Sequence, residues 1–132
     1  MKEYSKDEIT KFFKSKANPA LEEFGAELEE REWKVEDIQI HNPDFRWIGN
    51  TLTSKIELSQ GRKRCFSYKI LAKPSESTSD SYNLEFKYGW CFDDNAGTRD
   101  FPDKYDPDIN ILAKDELIEH IKKRFDEHVG MK

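Results

Sequence analysis

At 132 residues the chain can bury a single core, and nine Phe, five Tyr and three Trp argue against disorder even though 37% of residues are charged. A formal net charge of −5 argues against nucleic acid as a partner, which calls for clustered Lys and Arg, and leaves a basic protein partner open. No apolar run approaches the ~20 residues that cross a bilayer, no signal-peptide core opens the sequence, and two cysteines are too few for a disulfide scaffold; the expectations are no membrane and a reducing cytoplasm.

The first helix has a clear start. Ser5 can cap it, Glu8 can reach back to complete a capping box, and Tyr4 and Ile9 occupy the staple positions. Ile9, Phe12, Phe13, Ala17, Ala20, Leu21, Phe24 and Leu28 recur with helical period. Asn18-Pro19 interrupts the stripe, so either a second helix restarts with Asn18 as its cap or one kinked helix runs to about Arg31.

Residues 33–40 read as a first strand, with a parity change between Val35 and Ile38 that requires a bulge or a break. Residues 45–48 and 51–58 suit a hairpin around Gly49-Asn50, with Trp47 opposite Leu52. A third segment, residues 64–73, alternates Phe66, Tyr68, Ile70 and Ala72 with polar positions; facing Ile56 with Phe66 requires an odd loop with Gly61 left-handed.

The sharpest pattern is Tyr82, Leu84, Phe86, Tyr88 and Trp90, alternating strictly with Asn83, Glu85, Lys87, Gly89 and Cys91. Matching faces predicts the pairs Ala72–Leu84, Ile70–Phe86, Tyr68–Tyr88 and Phe66–Trp90. Cys65 then lies beside Cys91 on the polar face, as a plain neighbour rather than a redox pair. Residues 93–108 form a Pro/Asp-rich connection, residues 109–112 a short extra strand, and a last helix spans about residues 114–128 with Leu117, Ile118, Ile121, Phe125 and Val129 inward. The sum is one α+β domain over residues 1–132: a two-layer sandwich in which an antiparallel meander of four or five strands carries an N-terminal and a C-terminal helix on one face.

No reaction motif is present. The Asp-rich loop departs from the EF-hand pattern, because Gly97 comes one position early and no Glu closes it, so neither a metal nor another cofactor is expected. His41, His120 and His128 have no carboxylate or nucleophile at diagnostic spacing, which leaves no catalytic residue to name; a small hydrolase or isomerase would need one of them to meet a carboxylate in a cleft. The leading expectation is a non-enzymatic protein-interaction or accessory module, acting on a protein partner or a second copy of itself through the loop that holds Asp93, Asp94, Arg99, Asp100 and Asp103, an acidic helix face or an unprotected sheet edge. The alternative is a small apolar ligand in an aromatic-lined cavity between sheet and helices, against Trp47, Tyr68, Tyr88 and Trp90.

The stretch Asn18-Pro19-Ala20-Leu21-Glu22-Glu23-Phe24, followed by Glu27-Leu28-Glu29-Glu30-Arg31, resembles the opening of small bacterial proteins carried on mobile elements such as integron cassettes. Lys114-Asp115-Glu116-Leu117-Ile118-Glu119-His120 is similar to how such chains end. The resemblance implies a helix–sheet–helix domain in a bacterial cytoplasm, and carries no activity.

Overall fold

A computed structural model describes residues 3–42, 50–61, 64–76, 81–91 and 100–130. Its elements are β1 (Tyr4–Ser5), α1 (Lys6–Phe12), a π-helical turn (Phe13–Ala17), α2 (Asn18–Glu30), β2 (Lys34–Gln39), β3 (Leu52–Gln60), β4 (Arg64–Pro74), β5 (Ser81–Cys91), β6 (Phe101–Asp103), α3 (Lys114–Phe125) and a second π-helical turn (Asp126–Gly130). The six strands form one antiparallel sheet in the order β1-β5-β4-β3-β2, with β6 also on β5. The α+β class and the meander read from the sequence are therefore present.

The Ser5–Glu8 capping box forms in both directions. At Asn18-Pro19 the chain neither restarts nor breaks: a wide π turn carries helical backbone through it. Proline has no N–H to contribute to the α ladder, and the wider turn accommodates that loss. Asn18 is consequently not a cap; its amide donates to the His41 carbonyl at 3.0 Å and accepts from the buried Ser54 hydroxyl at 2.7 Å, linking helix to sheet. Gly25 sits where α2 meets the sheet, and a Cβ there would lie 2.8 Å from Ile56 Cδ1.

The β4–β5 register matches the predicted pairs one for one, from Phe66–Trp90 to Ala72–Leu84. The β3–β4 register is shifted by two residues: Phe66 faces Leu58, and Ile56 faces Tyr68. Both registers put the same faces inward, so alternation cannot choose between them; the loop does. Gly61 is left-handed at φ 65°, and the strands close at Gln60–Arg64. The irregularity expected in the first strand falls between Val35 and Asp37. The predicted hairpin partner at residues 45–48 lies outside the described residues.

Residues 109–112 form a turn rather than a strand. The Asp108 carbonyl accepts from Ile111 and Leu112, and its carboxylate accepts from the Asn110 N–H, an Asx turn that overrides the short apolar run. The extra strand is β6, inside the stretch read as a plain connection; Pro102 is tolerated there because β6 lies at the sheet edge.

Helices and sheet meet over Phe24, Phe66, Phe125 and Trp33, whose rings pack edge to face at 4.9–6.0 Å. Leu117, Ile121, Phe125 and Val129 are buried as the stripe requires. On the other face Lys55, Lys69 and Lys87 stand in one cross-strand row. Such a row is repulsive unless each member finds an acid. Asp37 and Glu57 flank Lys55, Asp100 holds Lys69 at 2.7 Å, and Glu85 approaches Lys87 at 3.9 Å. On this face too, Cys65 is disulfide-bonded, and the backbone sets it opposite Cys91, the only other cysteine in the sequence. A disulfide at Cys65 replaces the plain neighbour expected from sequence, so the cysteine count does not argue for a reducing compartment. No helix among the described residues is long and apolar enough to cross a membrane.

Candidate functional site

The densest polar cluster lies where β6 passes beneath α3. Asp103 pairs with Phe86 across the strands and, like Phe86, is buried. Its carboxylate has no exposed surface. Such a charge must be matched by donors or lose its ionisation. Asp103 Oδ2 accepts from the Tyr68 hydroxyl at 2.8 Å and meets His120 Nε2 at 2.7 Å. Oδ1 accepts from Arg124 Nε at 3.2 Å and Nη2 at 2.9 Å, two donors of one guanidinium converging on a single charged oxygen. Burial alone would raise the Asp103 pKa, but the bonds from His120, Arg124 and Tyr68 outweigh it and hold the group at about 2. Burial, then the adjacent Asp103 charge, pushes the Tyr68 phenol well above its ordinary value.

Aromatic rings enclose this cluster. Tyr105 stacks on His120 with centroids 3.6 Å apart and planes 8° from parallel, and meets Phe86 edge-on at 5.2 Å. The Arg124 guanidinium sits 5.6 Å from the Tyr88 ring centre, and His128 stacks on both Tyr88 and Trp90. His120, Arg124 and His128 follow one another at four-residue intervals, so one stripe of α3 and its π turn supplies all three side chains.

A histidine on a buried carboxylate is half of a proton-transfer arrangement. The other half is missing: among the described residues His120 bonds no Ser, Thr or Cys, and Tyr105 covers one face of its ring. The carboxylate itself is saturated. What the cluster does is fasten β6 and the segment that follows it to the helix layer.

That fastened segment builds one wall of a groove of about 660 Å³ at the outer edge of β5. On this edge β1 pairs at Ser81 and Tyr82 and β6 at Phe86–Tyr88, so Asn83, Leu84 and Glu85 have no strand partner there among the described residues. Leu84, Phe86, Pro102 and Tyr105 give the groove apolar surface, and Lys73, Lys87, Lys104, Glu85 and Asp106 give it charge.

Of the residues singled out from sequence, Tyr68 and Asp103 meet at the centre of the cluster, and Tyr88 and Trp90 flank it through Arg124 and His128. Asp100 is elsewhere, on the wet face with Lys69, because an odd separation along extended chain points it away from Asp103. Trp47, Asp93, Asp94 and Arg99 lie outside the described residues. Sequence reasoning named His120 without a partner, and the carboxylate it meets is Asp103. It overlooked Tyr105 and Arg124; for Arg124 the four-residue spacing of His120, Arg124 and His128 was the available signal. No group of three His, Cys, Asp or Glu side chains among the described residues could hold a metal ion.

Comparisons with known proteins return no match, whether against family models, curated proteins or solved structures.

Proposed function

We propose that the protein is a small non-enzymatic binding module whose recognition site is the groove at the outer edge of β5. The observation that carries this reading is the junction of that groove with the Asp103 clamp: four hydrogen-bonded contacts to one buried carboxylate hold the groove wall in place. Pre-organised walls lower the cost of binding. Of the two roles expected from sequence, protein interaction and small-molecule binding, the dimensions favour the second. Three unpaired residues at ~3.3 Å each leave roughly 10 Å of open strand edge, short for an added peptide strand, while a volume of about 660 Å³ lies in the usual small-molecule range. We place the site at the sheet edge because, among the described residues, Phe24, Phe66 and Tyr68 are buried between sheet and helices. An accessory role of the kind carried on bacterial mobile elements, in the cytoplasm, belongs to the same proposal.

Ligand-observed NMR with a chemically mixed set of small molecules, followed by ¹⁵N shift mapping, tests it. Binders are expected to move the amides of residues 84–87 and 104–106. A set of saturable binders that all map elsewhere would overturn the reading.

A further inference from the structure

We infer that the groove's ligand is a small amphipathic carboxylate, one anionic group joined to an apolar and preferably planar body; this rests on the groove being the recognition site. Charge points to an anion. Lys73 and Lys87 share a single carboxylate, Glu85, at 3.1 and 3.9 Å. Lys104 is exposed and has no carboxylate partner among the described residues. Three lysines therefore line the groove with two acids, Glu85 and Asp106, while the Asp103 charge is already neutralised by Arg124. That surplus suits one negative charge. It does not suit a phosphate dianion, for which the lining offers neither an arginine fork nor a helix N-terminus.

The apolar half of the ligand is set by the walls. Leu84, Phe86 and Pro102 line the groove beside Tyr105, whose ring is braced by His120 at 3.6 Å and by Phe86 at 5.2 Å. A braced aromatic ring is a fixed surface against which a flat ligand packs at small entropic cost. The unpaired main chain at residues 83–85 adds hydrogen-bonding groups along the floor. A free small molecule, and not a peptide terminus, is the occupant, because β1 and β6 close the edge on either side.

The test uses the ¹⁵N-labelled full chain titrated with phenylacetate, its neutral isostere phenylacetamide, phenethylamine and inorganic phosphate. Phenylacetate is expected to shift residues 84–87 and 104–106 saturably, with a Kd about tenfold below that of phenylacetamide. Lys104→Ala, at an exposed position, should bring acid and amide to equal affinity without changing thermal stability. Equal affinities in the unmodified chain, or tighter binding of phenethylamine or phosphate, overturn the carboxylate assignment and leave the groove standing as a site. If no probe shifts those amides, groove and ligand class fall together.

Discussion

A carboxylate without exposed surface has to be matched by donors, and Asp103 takes them from two elements: Tyr68 on β4, and His120 and Arg124 on α3. Asp103→Asn keeps the shape but removes the charge that Arg124 and His120 face, and should lower unfolding free energy by about 3 kcal/mol in urea titrations. Tyr68→Phe removes one bond of the set and should cost only about 1 kcal/mol. Because the folded pKa of about 2 lies below the ordinary 3.8, ionised Asp103 favours the folded state. That contribution, about 2 kcal/mol, is full above roughly pH 5 and is lost as pH falls towards 2. Melting temperatures of the native chain should therefore drop more steeply between pH 5 and 2.5 than those of Asp103→Asn; parallel slopes would contradict the assignment. Asp103 was visible in the sequence as one acid among many, but its burial was not, because nothing local states that Arg124, 21 residues away, will fold over it.

At the level of elements, alternation was enough to place β5 against β4, since every pair from Phe66–Trp90 to Ala72–Leu84 has its apolar side on one face. The same alternation left β3 free to slide by two residues, a shift that conserves facing and is settled by turn geometry instead. The strand expected at residues 109–112 was lost to Asp108, whose carboxylate offers the backbone a competing bond. The bridge from α2 to β3 through Asn18 was illegible for a related reason: Asn before Pro reads as a helix start. Asn18→Ala should destabilise the fold by about 2 kcal/mol, because the Ser54 hydroxyl is left buried without its acceptor. Adding Ser54→Ala should recover part of that loss; a strictly additive double mutant would show that the two side chains do not interact. Gly25→Leu, placed against Ile56, should destabilise by at least about 2 kcal/mol through overpacking.

Seen whole, the molecule has one well-defended sheet edge and one assembled from pieces. The β2 edge carries Lys34, Glu36 and Asp37 and an irregularity, devices that discourage strand addition. The β5 edge is covered by two residues of β1 and three of β6, separated by the groove. Few backbone bonds hold these short pieces, so amide exchange should be fastest there and slowest in β3 and β4. Uniform protection across the sheet would contradict this. The tie between the pieces is Tyr4, whose hydroxyl donates to the Pro107 carbonyl across 103 positions of sequence. A contact of that span closes a very long loop, so the meander is free to condense before the clasp engages. Tyr4→Phe should accordingly leave the refolding rate nearly unchanged and quicken unfolding, the kinetic signature of a latch that snaps shut after the barrier has been crossed.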